Sequence, residues 1–166
     1  MRSIRLSVGV TAGVLATLLL AACGGTTSSG TGGTPATSST ALIHTASMKV
    51  GDKTLTVLKD PKGLTLYYFT PDTATKVACT GGCASNWPPL IATSGTPTSS
   101  PALPGQLTVM NGANGNQVLY NGHPLYTYVK DGDAGDAYGQ GVGGKWFVAT
   151  PGLAAAAAVK ESPPAY

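Results

Sequence analysis

The chain repeats itself at a fixed spacing. Leu66-Tyr67-Tyr68-Phe69 followed by Asp72 returns as Leu125-Tyr126-Thr127-Tyr128 followed by Asp131, an offset of 59 residues. The same offset pairs Gly63 with Gly122, Gly82 with Gly141 and Trp87 with Trp146, so six identities share one spacing and include both tryptophans of the chain. Such a period marks two copies of one supersecondary unit, and neither copy is expected to bury its apolar face alone. The copies run over about 49–91 and 106–151, inside a domain of 42–151.

Each copy reads as β-structure. Tyr67 and Phe69, like Tyr126 and Tyr128, are two residues apart and share one face of a strand, while Leu66 with Tyr68 and Leu125 with Thr127 take the other. In the second copy Val118-Leu119-Tyr120 enters Asn121-Gly122 and leaves through His123–Val129, the pattern of a type I′ hairpin. In the first, Leu55–Leu58 and Leu64–Thr70 are joined by Asp60-Pro61-Lys62-Gly63, a longer turn. Further strands are expected at Leu42–Val50, Leu107–Met110 and Trp146–Thr150, with Ala92–Gly105 linking the halves. With 23 Gly and 12 Pro and no sustained helical period, a helical bundle is disfavoured. The expected class is all-β and antiparallel, two tandem hairpin-led repeats forming a small sandwich or barrel-like domain. The tail 152–166 contains five consecutive alanines within Leu153–Val159, enough for about two helical turns, and so short a helix is expected to fray.

Ahead of the repeats lies a leader. Arg2 and Arg5 precede the apolar run Leu6–Leu20, and small residues follow it, the three zones of a secretory signal over 1–22. Leu20-Ala21-Ala22-Cys23 resembles the lipobox of bacterial lipoproteins, which implies cleavage before Cys23 and lipid on its thiol. Residues 23–41 then form a lipidated cysteine and a tether; 15 of the 17 residues from Gly24 to Thr40 are Gly, Ser or Thr. A coil of that length holds a domain about 20–25 Å from its anchor. Removing Arg2 and Arg5 from the 10 basic residues leaves eight lysines against seven acids, a net charge of +1. Nucleic-acid binding, which needs clustered basic charge, is excluded as a leading function.

The pattern Tyr-x-aromatic-x-x-Asp, met at Tyr67, Phe69 and Asp72 and again at Tyr126, Tyr128 and Asp131, resembles the bacterial secreted-repeat lipoproteins. So do Cys79 and Cys83 ahead of Trp87-Pro88-Pro89-Leu90, and Gly139-Gln140-Gly141 ahead of Trp146. The resemblance covers about 49–151. It implies a β fold and an extracytoplasmic, lipid-anchored location in the bacterial envelope, and it implies no activity.

Four constellations could carry chemistry. Cys79 and Cys83 enclose Thr80-Gly81-Gly82 and are the only thiols left once Cys23 is lipidated. In an oxidising compartment they are expected to form a disulfide, worth only about 2 kcal/mol for so short a loop. The competing reading is a redox or copper-handling dithiol, for which no His or Met lies near in sequence. Asp131, Asp133 and Asp136 sit in a Gly-rich turn that resembles a calcium loop, but no bidentate Glu follows and only Asp131 has a counterpart in the other copy. A solvated turn is the simpler expectation, with Asp72 and Asp131 accepting hydrogen bonds from loop backbone. The aromatic set Tyr67, Phe69, Trp87, Tyr126, Tyr128 and Trp146 is expected in the core rather than on a ligand-stacking surface, its phenols seeking the shared carboxylates. Catalysis lacks parts: His44 and His123 stand apart, and the single Glu, Glu161, is in the tail. The expected function is therefore a non-catalytic binding or envelope-structural role, with no resident metal or cofactor. Partners would be the membrane, through lipid on Cys23, and an envelope protein or glycan met by the loops Thr73–Asn86 and Gly132–Lys145.

Overall fold

The computed structural model describes residues 41–157. The signal peptide, Cys23, the tether through Thr40 and the tail from 158 lie outside the described residues. In order, the elements are β1 (Ile43–Val50), β2 (Lys53–Lys59), β3 (Tyr67–Phe69), α1 (Gly82–Asn86), β4 (Ser99–Ser100), β5 (Leu107–Gly112), β6 (Gly115–Tyr120), β7 (His123–Tyr126), a short 3-10 turn (Val142–Gly144) and β8 (Trp146–Val148). They form a three-stranded sheet, β2-β1-β4, and a five-stranded sheet, β5-β6-β7-β3-β8, sandwich-like rather than a closed barrel.

In the second copy β5-β6-β7 is a continuous meander within one sheet, whereas in the first β1 and β2 pair as a hairpin and β2 passes to β3, in the other sheet, through the bridge of Lys59 with Thr65. The turn between β6 and β7 has Asn121 at φ 49° and Gly122 at φ 79°, the two left-handed residues that a type I′ turn requires. In the first copy Lys59 bridges Thr65, leaving five residues in the turn, where Leu119 pairs with Pro124 across four. The Asp60 carboxylate stabilises that longer turn by accepting the backbone N–H groups of Lys62 (2.9 Å) and Leu64 (2.8 Å).

The copies meet about a local two-fold axis. In the antiparallel pairing of β3 with β7, Tyr67 lies opposite Tyr126, its own counterpart. The last segment of each copy then adds to the strand of the other. β8 pairs with β3, placing Val148 opposite Tyr67, and Pro89 bridges Tyr126 in the equivalent place. Ala149 N–H donates to Leu66 C=O at 2.8 Å, and Leu90 N–H donates to Leu125 C=O at 2.9 Å. The two copies are thus interlocked. Side-chain alternation along β3 and β7 divides the core as the sequence pattern requires. Leu66 and Leu125 join Ile43, Leu58, Val118 and Tyr120 on one side, whereas Tyr67 and Tyr126 join Val57, Trp87, Trp146 and Val148 on the other.

Four expectations are corrected. The link Ala92–Gly105 is not merely a connection, because β4 within it pairs in parallel with Ile43 and His44, the one exception to antiparallel pairing among the described strands. β7 stops at Tyr126 instead of continuing to Val129. Its partner there contains Pro88 and Pro89, which have no N–H, so Thr127 and Val129 donate to Pro88 and Asn86 without a full ladder. A single helical turn, α1, occupies the cysteine loop. The tail is neither helical nor frayed over 153–157. Leu153 C=O accepts from Asn121 Nδ2 at 2.7 Å, Ala154 C=O contacts His123 Nε2 at 3.1 Å, and Ala156 N–H donates to Asn121 C=O at 2.8 Å. These groups are committed to the second hairpin and are not free to form helical turns.

Interlocking has a direct consequence. A protease site placed in the exposed stretch Thr93–Thr96 should yield, after cleavage, a single particle on size-exclusion chromatography that separates into two fragments only in denaturant. Separation without denaturant would contradict the exchange of segments between copies.

Candidate functional site

The residues that the sequence singled out converge on the interface between the copies. Tyr67 and Tyr126 point to the same side of adjacent strands, and the two tryptophans close over them. Trp87 and Trp146 stack with ring centroids 3.7 Å apart and planes within 1°. Tyr128 continues the stack beyond Trp87 at 4.0 Å, and Phe69 continues it beyond Trp146 at 4.4 Å. Tyr67 meets Trp87 edge-on at 5.5 Å, and Tyr126 meets Trp146 edge-on at 5.2 Å. Every contact has its partner under the two-fold relation. Both indoles are only 5% exposed and Tyr67 and Tyr126 are buried with them, while Phe69 and Tyr128 at the ends of the stack are half-buried.

The tyrosine hydroxyls end on the shared aspartates, each in the other copy. Tyr67 Oη donates to Asp131 Oδ2 at 2.6 Å, and Tyr126 Oη donates to Asp72 Oδ2 at 2.6 Å. The remaining carboxylate oxygens take backbone N–H groups from the following loops: Ala78 to Asp72 at 2.7 Å and Tyr138 to Asp131 at 3.0 Å. Each carboxylate therefore fixes its own loop and holds the opposite copy. Asp72 and Asp131 are 6% and 5% exposed. Burial pushes both carboxyls above the ordinary aspartate value, against the pull of the tyrosine and backbone hydrogen bonds. Burial also pushes both phenols well above their usual range, with the adjacent carboxylates adding to the shift.

The flanking loops use different chemistry for one shape. In the first copy Cys79 and Cys83 are joined (S–S 1.99 Å, Cα–Cα 5.2 Å), with Cys79 buried and its carbonyl accepting from Asn114 Nδ2 at 3.0 Å. In the second copy Tyr138 and Val142 stand at those positions, and Gly141, Gly143 and Gly144 take left-handed φ values of 76°, 59° and 66°. The pair is joined at disulfide geometry, and no third metal-donor side chain joins it among the described residues.

The three acidic residues of the second loop do not converge. Asp131 is turned to Tyr67, while Asp136 Oδ2 accepts the N–H groups of Gly132 and Asp133, both at 2.9 Å. A cation does reach this loop, from a residue that sequence inspection passed over. Lys59 is 3% exposed, and its Nζ donates to Ala134 C=O at 2.7 Å, to Thr65 Oγ1 at 2.8 Å and to Met48 Sδ at 3.0 Å. Burial lowers its pKa, opposed by Asp131, Asp60 and Asp136. Its one sequence signal is its place at the end of the apolar run Leu55–Leu58; the 59-residue offset gives it no lysine counterpart. Of the histidines, His123 is half-buried against Tyr68, ring centroids 4.9 Å apart, and no carboxylate or hydroxyl partner activates it.

These features define an interlocked two-repeat β protein in which the residues shared by both copies are turned inward. The chain belongs to the family described as a secreted repeat of unknown function, whose sequence pattern matches residues 51–91 and 108–150. Those bounds agree with the two copies read from the 59-residue offset. Membership implies an extracellular location, and among the described residues no helix is long and apolar enough to cross a membrane. Comparison with curated proteins and with solved structures gave no match.

Two predictions follow from the buried pairs. Tyr67→Phe and Tyr126→Phe, which keep the rings but strand a buried carboxylate oxygen, should each cost about 1–3 kcal/mol in urea denaturation. The pH dependence has a definite sign. Because the folded-state pKa values of Asp72 and Asp131 are raised, their contribution to stability is full below the unfolded value and is lost as pH rises through the folded values. Compared with the Asp72→Asn/Asp131→Asn variant, the wild-type protein should therefore gain in denaturation midpoint as pH falls from neutrality. A shift in the variant's favour would refute the assignment.

Proposed function

We propose that the protein is a lipid-anchored envelope component with a non-catalytic binding or structural role. The carrying observation is that the shared tyrosines, aspartates and tryptophans satisfy one another inside the interface, so the repeat motif presents no reacting side chain to solvent. Its chemistry builds a rigid platform, and the loops Thr73–Asn86 and Gly132–Lys145 are what that platform displays. Each is anchored at its base by an aspartate and is largely exposed along its length. Tyr138, 65% exposed in the second loop, and Val129, 52% exposed three residues before that loop begins, supply apolar contact area of the kind that an envelope protein or glycan partner would cover.

Anchoring rests on Leu20-Ala21-Ala22-Cys23, with Gly24–Thr40 as the spacer that lets the loops work at the membrane or wall surface. The test is the partition of full-length protein between detergent and aqueous phases after expression in a bacterial host. Wild-type protein should enter the detergent phase, and Cys23→Ser should move to the aqueous phase with an unchanged domain fold. Equal partition of the two would overturn the lipid anchor.

A further inference from the structure

The strand edges of this molecule are guarded unequally. The outer edge of β8 is closed from within: Gly141 N–H donates to Trp146 C=O at 2.8 Å, and Gln140 Oε1 accepts from Val148 N–H at 2.9 Å. β1 is paired by β4 at Ile43 and His44, and its remaining edge carries Lys49, while β2 carries Lys53 and Lys59 at its two ends. Lysines on an edge keep a further strand from pairing there. β5 has neither device. It is the end strand of the five-stranded sheet, with β6 as its neighbour on one side, and it contains no charged residue and no proline. The exclusion of charge is wide, since no Asp, Glu, Lys or Arg occurs between Lys76 and Lys130.

We propose that β5 is a self-pairing edge, to which a second copy of this chain adds its own β5 in antiparallel register, with Val109 opposite the partner's Val109. Asn121 N–H donates to Gln106 C=O at 2.9 Å, so the alternation of an antiparallel ladder turns the N–H and C=O groups of Leu107, Val109 and Asn111 away from β6. Among the described residues no backbone group pairs with them on that side. About a two-fold axis through Val109, Leu107 of each copy meets Asn111 of the other, and all three residues exchange both of their backbone groups. Val109 suits the centre of such a seam. Its side chain is 38% exposed, yet it stands opposite Val118, which is buried in the aliphatic cluster with Tyr120, and Leu107 packs against the same cluster. A second Val109 extends that apolar layer across the seam as a β-branched cross-strand pair.

Charge selects the occupant. A partner that offers an acidic or basic segment finds no counter-charge on this hairpin, whereas a second copy brings a strand as neutral as the edge it meets. At β1 or β2 the same pairing would gather the lysines of both copies at one seam. The internal interface of the chain follows the same plan, with Tyr67 of β3 facing its counterpart Tyr126 of β7. One edge strand of six residues against another is a small contact, so the association is weak and depends on concentration.

The experiment is sedimentation equilibrium of the full-length chain carrying Cys23→Ser, over a range of concentrations, together with oxidative cross-linking of added cysteines. The expected result is a monomer–dimer equilibrium that Val109→Lys weakens by roughly tenfold or more, because the two-fold axis sets two ammonium groups against each other. Val109→Cys should give a disulfide-linked dimer on a non-reducing gel, whereas Val129→Cys, at a position that is 52% exposed, should remain monomeric. A protein that stays monomeric at every concentration would overturn the proposal, as would a dimer that Val109→Lys leaves intact or cross-links of equal yield at the two positions. If Val109→Lys fails to fold, the comparison of the two cysteine variants decides alone.

Discussion

Two hydrogen bonds from phenol to buried carboxylate, each crossing from one copy to the other, set the terms for everything around them. A carboxylate that is 5–6% exposed carries a desolvation cost of several kcal/mol unless its oxygens are satisfied. Here each carboxylate has two partners of different origin: a loop N–H from its own copy and a hydroxyl from the other. Neither copy can complete the set alone. Asp72 without Tyr126, or Asp131 without Tyr67, would be a buried acceptor lacking half its bonds. The register that places Tyr67 opposite Tyr126 is therefore specified chemically as well as by the apolar pattern, since a slip of one residue would put both hydroxyls on the wrong face.

Around this axis the copies diverge wherever the symmetric requirement ends. Gly63 and Gly122 both take left-handed φ values, 85° and 79°, and the turn of each hairpin lies beneath the loop of the other copy: a Cβ on Gly122 would meet Ala74 Cβ at 3.2 Å, and one on Gly63 would meet Ala134 Cβ at 3.4 Å. Loop composition and hairpin composition are matched in the same crossed manner. The loop with three aspartates sits over the hairpin that contributes Lys59, whose ammonium binds Ala134 C=O. The other loop carries no acid beyond Asp72 and faces the hairpin in which Leu119 pairs with Pro124. A buried ammonium among neutral acceptors is tolerable because three acidic groups, Asp131, Asp60 and Asp136, favour its charge.

The sequence disclosed the repeat, the two hairpins and the division of each strand into an aliphatic and an aromatic face, because all of these follow from period-two alternation and from turn chemistry such as Asn121-Gly122. It also disclosed that the phenols would seek the shared carboxylates. It did not disclose that the donor and acceptor belong to opposite copies, since an offset of 59 residues relates equivalent positions and is silent about which of them touch. Strand exchange by Trp146–Val148 and Trp87–Pro89 was hidden for the same reason, and Pro88-Pro89 disguised its half further by removing two N–H groups from the ladder. Lys59 was illegible because burial of a lysine depends on acceptors up to 75 residues away in the chain. The alanine tail misled in the opposite sense: its local propensity favours helix, yet the side chains of Asn121 and His123 compete for its carbonyls.

The loops before the two tryptophans show how firmly the aromatic stack constrains its surroundings. Both must leave an aspartate, return one backbone N–H to it, and deliver an indole edge-on to a tyrosine of the same copy. The first copy does so with a disulfide and the single helical turn Gly82–Asn86, after which Trp87 N–H donates to Cys83 C=O at 2.9 Å. The second uses glycines in left-handed conformations, closes with Gly141 N–H donating to Trp146 C=O at 2.8 Å, and brings Gly139 so near the rings that a Cβ there would lie 2.7 Å from Tyr67 and 2.9 Å from Trp87. One route limits the unfolded chain by a covalent ring; the other accepts the entropic cost of glycine in exchange for conformations that no side chain permits. Two unrelated backbones thus converge on the same placement of indole, phenol and carboxylate, and that placement is the feature the repeat preserves.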